Sequence, residues 1–310
     1  MADVRISDLS LISAANLDDN DRLIVEQTSN GTGATKYSSL KEAMLGSSSI
    51  TSLGGTTVTQ AIAKLNGVVN ADDFRAHNSI ARGVKLTSVD WATIGNGKFS
   101  NMFIGDYWEY NNIKWRIAAF NYYYGVGNTH RCETTHVVVV PDSVIVSSKP
   151  MNDTATATTG YRNSKMITAN GGLKDALDIL TANDCPFKGH ILPVEQYVSS
   201  TVSGGTQSAT WIDTTLTYAP KVIIMSERQV YGSQIAGNET IGTSDKGQFP
   251  LFAINHRHIT CGSSYWLRDM HSETAFAQVT SSGVAYWANA NATAGVRPAF
   301  CICQTVPNYS

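Results

Sequence analysis

The 310-residue chain reads as a strand-dominated α+β protein on three observations. From residue 82 onward, short aromatic and β-branched runs alternate with Gly, Asn and Asp turn clusters, the pattern of a strand-rich domain. Within that region Gly172-Leu-Lys-Asp-Ala-Leu-Asp-Ile-Leu180 places apolar residues at 173, 176, 177 and 180, one face of a helix. Charged residues make up 15% of the chain and hydrophobic ones 42%. A typical globular chain carries roughly 25% charge, so the solvated surface here must be built largely from Ser, Thr, Asn and Gly, a balance that suits β-rich architecture.

The chain divides into residues 1–45, 46–81 and 82–310. In the first part, Asp18-Asp-Asn-Asp-Arg22 is a turn cluster, Leu23-Ile-Val-Glu-Gln27 a short strand, Asn30-Gly-Thr-Gly33 a hairpin-type connection, and Ser38 to Leu45 a brief helix. This small β/α module is too thinly apolar to complete a core alone. Residues 46–57 are a small-residue linker. Val58, Ile62, Leu65 and Val69 follow at spacings of four, three and four, the rhythm of a short coiled-coil seam. The same spacing also fits a helix packed on its own domain. As a stalk it leaves dimer and trimer open.

In the third part, Tyr107 to Phe120 reads as a hairpin turning at Asn111-Asn112, and His136 to Pro141 as a buried strand. Lys221–Ser226, Tyr265–Arg268, Ala275–Val279, Val284–Trp287 and Ala299–Cys303 read as further short strands. No repeat of 20–50 residues is present, which excludes a solenoid or propeller.

Net charge is −2 and no Lys/Arg run occurs, so a nucleic-acid partner is not expected. No run of 18 apolar residues argues for membrane insertion, and Met1-Ala-Asp-Val-Arg5 lacks the apolar stretch of a secretory signal. Five scattered cysteines are an odd number, which predicts free thiols. Cys301-Ile-Cys303 fits a terminal strand better than a zinc site. No nucleophile elbow, metalloprotease, Walker or dinucleotide motif appears, so neither an enzyme nor a cofactor is expected. Asp142, Asp153, Glu195, Asp213 and Glu227 could supply a glycosidase acid pair, but a chain with 25 acids offers such pairs by chance.

Tyr122, Tyr123 and Tyr124, and the run holding Tyr286, Trp287, Asn289 and Asn291, have the composition of recognition loops. The competing assignment is ordinary packing with Asn in turns. His256 and His258 would share one face of a strand and are a weak metal candidate; two surface histidines on a loop are favoured. Trp266, Arg268, Arg297 and Pro298 are assigned structural roles, the guanidinium groups stacking on Trp115, Trp266 or Trp287 and bonding buried carbonyls. Anion clamps are the functional alternative.

Two resemblances add to this. Residues 1–45, with Ile6-Ser-Asp-Leu9 and Leu23-Ile-Val25, are similar to the N-terminal module of bacteriophage fibre and virion-appendage proteins. The order Gly105-Asp-Tyr107, Ile113-Lys-Trp-Arg-Ile117, Ser226-Glu227, Tyr265-Trp-Leu-Arg268, Gly295-Val-Arg-Pro-Ala-Phe300 resembles a domain family of unknown function. That family is found in phage proteins and in surface proteins of Gram-positive bacteria. Tyr265 stands where the family pattern has Trp, and Asp269 where it has Ser. The ending also resembles, distantly, the close of C-type-lectin-like folds. Together these imply a virion protein, a homotrimer docked on phage particle proteins by its N-terminus. Its C-terminal domain would bind a bacterial surface glycan or protein as a tail fibre. A capsid head fibre or decoration protein, or a surface-glycan depolymerase, are the alternatives.

Overall fold

A computed structural model describes residues 77–309 except residue 215 and residues 238–243. Chain contacts divide the protein after Asn70, and every described residue belongs to the second unit. The N-terminal module and the Val58, Ile62, Leu65, Val69 seam lie outside the described residues. Packing of the second unit starts before Arg82. The His77 ring contacts Phe99, Phe103 and Phe120, and the Asn78 side chain bonds both backbone groups of Phe120.

Helix α1, Trp91–Gly95, is capped by the Asp90 carboxylate, which accepts from Thr93 N at 3.1 Å. Strands β1, Tyr107–Tyr110, and β2, Ile113–Phe120, form the expected hairpin. Asn111 and Asn112 take φ of 53° and 58°, the pair of left-handed residues a two-residue turn requires. Strand β3, Val137–Pro141, is buried throughout and pairs with β2. Strand β4, Val146–Lys149, follows, then helix α2, Gly172–Leu180, which buries Leu173, Ala176, Leu177 and Leu180 as its spacing predicts.

Strand β5, Ile191–Leu192, leads into the hairpin of β6, Gln196–Ser203, and β7, Thr206–Ile212. This Ser/Thr-rich hairpin was not anticipated, because its residues carry little apolar alternation. The stretch 221–226 is strand only at β8, Ile223–Ile224. It stops because Ser226 and Gln229 form a capping box that starts helix α3, Glu227–Tyr231. Helix α4 is Pro250–Ile254. Strands β9, Tyr265–Ser272, β10, Ala275–Val279, β11, Ala285–Asn289, β12, Ala294–Val296, and β13, Pro298–Ile302, complete the domain.

One sheet runs β1-β2-β3-β13-β5, with β8 also on β13; the second runs β11-β10-β9-β12-β4; β6-β7 stands apart. The architecture is strand-dominated α+β. Residue 297 is where the chain passes from the second sheet to the first, between β12 and β13. Gly295 is required just before it: a Cβ there would meet Val144 and sit 3.1 Å from Ser264 O. The Gly295-Val-Arg-Pro-Ala-Phe300 stretch is therefore a sheet-switching device.

Candidate functional site

A frame of buried charge holds the two sheets and their loops. The Arg297 side chain is fully buried, and its Nε donates to Pro141 O at 2.8 Å and its Nη1 to Ile259 O at 2.9 Å. Its guanidinium lies over Tyr265 at 5.2 Å and Phe252 at 5.6 Å, not over a tryptophan as the sequence suggested. Arg268 pairs with Asp245 at 2.5 Å. Trp266 donates to Lys149 O at 2.6 Å, tying β9 to the far strand of its sheet, and Pro298 pairs with Ile224.

Two buried glutamates clamp loops. Glu195 accepts from the N–H groups of Asn128, Thr129 and His130. Glu227 accepts from Ile235 at 3.0 Å, Ala236 at 2.8 Å and Gly237 at 2.7 Å. Asp142 pairs with Arg116 and Asp153 with Lys165. Asp142, Asp153, Glu195 and Glu227, all considered for hydrolysis, are thus engaged in holding backbone or a basic side chain. Asp269 accepts from Glu227 N at 2.7 Å. Burial raises its carboxyl to about 7, against the lowering effect of Arg268, with Glu227 and Asp245 adding to the rise.

The expected tyrosine loop is largely internal. Asn121 takes φ of 51° as the chain leaves β2, and the turn that follows directs Tyr122 and Tyr123 inward. Tyr122 donates to Gly247 O at 2.5 Å and packs edge-on to Phe249; Tyr123 accepts from Gln229 Nε2 at 2.7 Å. Neither is available to a ligand. Tyr124 alone of the three is exposed, at 44%.

His256 and His258 are not on a strand but on a single turn of 3-10 helix, where residues two apart point in different directions. His256 is exposed, while His258 is half-buried with Nδ1 3.9 Å from Asp142 Oδ1, a carboxylate the sequence did not place there. Burial and Arg116 lower the His258 pKa. Among the described residues no group of three or more His, Cys, Asp and Glu could hold a metal. All five cysteines are free, and burial pushes the Cys132 thiol up to about 11 and Cys303 to about 12.

The second candidate run is an edge strand, as the Val284–Trp287 reading expected, followed by a turn at residues 290–291. Strand β11 pairs on one side only, with β10, and carries Tyr286 at 51% and Trp287 at 41% exposure. Asn289 ends the strand and Asn291 sits in the next turn, both exposed. Trp287 lies opposite Ala277, whose small side chain leaves room for the indole to reach across to β9. There His271 stacks on it, with centroids 4.6 Å apart and planes 3° from parallel. The Tyr286 ring is parallel to the indole within 7° at 5.8 Å. His271 is fixed in turn: its Nδ1 lies 2.5 Å from Ala236 O, in the loop that Glu227 clamps, and Ile235 of that loop is 60% exposed. Gly237 closes the loop because a Cβ there would be 2.8 Å from Asp269 Cβ and 2.9 Å from Glu227 Oε2.

The result is an exposed, rigidly backed platform of parallel rings with amides at one end. Such a surface can stack on a flat or C–H-rich ligand face and hydrogen-bond at its edge. The chain's own signal for His271 was absent, since three strands must pair before it meets Trp287.

The described residues form a strand-dominated α+β domain built on two main sheets, with an exposed aromatic surface on the edge of the second. The chain belongs to the family described as Domain of unknown function (DUF6273), whose model matches residues 136–304, more than half of the chain. The match takes in α3, the Arg268 strand, the platform and the sheet switch, and starts after the β1-β2 hairpin. No curated protein and no solved structure matches the chain.

Proposed function

We propose that this chain is a bacteriophage virion appendage protein that attaches particles to the bacterial surface. Residues 1–45 dock it on the particle, residues 58–69 form a short trimeric coiled-coil stalk, and the C-terminal domain, distantly C-type-lectin-like, binds the host as a tail-fibre head. The observation that carries this reading is the Tyr286–Trp287 platform, two large exposed aromatic rings stacked on an edge strand that pairs on one side only, and backed by His271. Large aromatics of this kind are normally withdrawn from water unless a partner covers them. The loop-holding roles of Glu195 and Glu227 favour binding over hydrolysis. Three linked heads turn weak single contacts into firm attachment.

The test is adsorption. Purified full-length protein should compete with virions for host cells, and the Trp287→Ala protein should compete at least tenfold less well, on the order of 1.4 kcal/mol per site or more. Antibody labelling of particles in micrographs should mark the tail. Labelling of the head would move the protein to the head-fibre class, and absence from particles would remove the reading altogether.

A further inference from the structure

The platform has a charge character that narrows its ligand. From Asp269 to Val296 the chain contains no Lys or Arg, and this span includes the second half of β9, all of β10, β11 and β12, and their turns. The clamped loop beside it, Gly232-Ser-Gln-Ile-Ala-Gly237, has no charged residue either. The two acids of the span are Asp269, buried beneath the loop, and Glu273, half-buried at the β9-β10 turn, where Oε1 accepts from Gly204 N at 2.5 Å. His271 is the one histidine of the span. It lies against the indole with Nδ1 directed at Ala236 O. Among the described residues, these strands, their turns and the clamped loop therefore carry no Lys or Arg to pair with a carboxylate or phosphate on a ligand.

Resting on the attachment reading above, we infer that the Tyr286–Trp287 platform binds uncharged glycan, hexose or N-acetylhexosamine units without uronate, sialate or phosphate. The C–H face of a pyranose carries slight positive charge and meets the negative ring faces of Trp287 and Tyr286. Ring hydroxyls or acetamido groups then reach the exposed amides of Asn289 and Asn291, which offer donors and acceptors together. Burying an anion against this surface would leave its charge uncompensated, which is unfavourable. Sites that select acidic sugars or phosphate use Arg or Lys forks for this purpose.

The full-length protein should be applied to an array of uncharged and acidic bacterial surface oligosaccharides, with chitotriose and maltotriose as uncharged probes and trigalacturonate and sialyllactose as acidic ones. Binding should concentrate on uncharged members and fall at least tenfold in both Trp287→Ala and Tyr286→Ala. It should change less than about twofold between about 0.05 and 0.5 M salt, because no ion pair is screened. Binding led by acidic members, affinity that falls steeply with salt, or binding unaltered in Trp287→Ala overturns the inference, as does binding to no glycan. Unfolding midpoints of the variants, measured alongside, separate lost ligand contact from lost fold. Particle labelling and adsorption competition report on the attachment reading separately, so a virion protein that binds a protein receptor fails here and passes there.

Discussion

At Arg297 a single side chain does what several apolar residues could not. The chain must leave one sheet and enter another at this position, exposing the carbonyls of Pro141 and Ile259 to the interior, and the guanidinium satisfies both while stacking on Tyr265 and Phe252. Lysine cannot reproduce a planar fork, so Arg297→Lys should cost about 2–4 kcal/mol in urea unfolding; a cost below about 0.5 kcal/mol would show that the fork is dispensable. Asp269 gives a second residue-scale prediction. It is faced by Arg268 on its own strand, by Glu227 from α3 and by Asp245, and burial raises its carboxyl from 3.8 to about 7. A carboxyl whose folded pKa is raised stabilises the fold by binding a proton there. That contribution is complete below the unfolded value and is lost as pH rises through about 7. The stability of the wild type should therefore fall relative to Asp269→Asn between about pH 4 and 7, the amide standing in for the protonated acid and still accepting from Glu227 N. Parallel pH profiles for the two proteins would contradict this. Asp269→Ser, which restores the residue of the resembled family pattern, should flatten the profile in the same way.

At the scale of elements, the loop Ile235–Gly237 is held almost wholly by one carboxylate. Glu227→Gln keeps the shape of the acceptor but removes its charge and one lone-pair-bearing oxygen. The charge-assisted bonds to Ile235, Ala236 and Gly237 should weaken together, costing about 2–3 kcal/mol locally. Hydrogen exchange at those three amides should accelerate while the β2-β3 amides stay protected, and unchanged exchange at residues 235–237 would count against the clamp. The elements also show what the sequence made legible. The Asn111-Asn112 turn and the Gly172–Leu180 helix follow from local rules, since turn chirality and a 3.6-residue period need no distant partner. Tyr286 and Trp287 were legible as part of a short strand, Val284–Trp287, though the sequence did not show that this strand lies at a sheet edge. The rest depends on contacts far apart in the chain: Tyr122 is fixed by Gly247, Tyr123 by Gln229, and His271 meets Trp287 only through two strand pairings. These partners lie 16 to 125 residues away, beyond the reach of local sequence rules.

For the whole molecule, the attachment reading separates two quantities that a single-chain view merges. On that reading, the platform would set the affinity of one head, and the proposed seam of Val58, Ile62, Leu65 and Val69 would set how many heads act at once. Replacing Ile62 and Leu65 with Asp places charge in the seam, where burying it unpaired costs more than a stalk of about two heptads can supply. The full-length double variant should sediment as a monomer. Its C-terminal domain should unfold as the wild-type domain does, because Ile62 and Leu65 lie in residues 1–70 and that domain in the separate unit from Ala71 to Ser310. Binding of one head to a soluble oligosaccharide should be unchanged, while attachment to a glycan-coated surface should weaken by about 10²–10⁴-fold, the loss expected when linked sites are made independent. A variant that becomes monomeric yet keeps full surface attachment would place the whole affinity in one head. A variant that stays trimeric would place the trimer contact outside the seam.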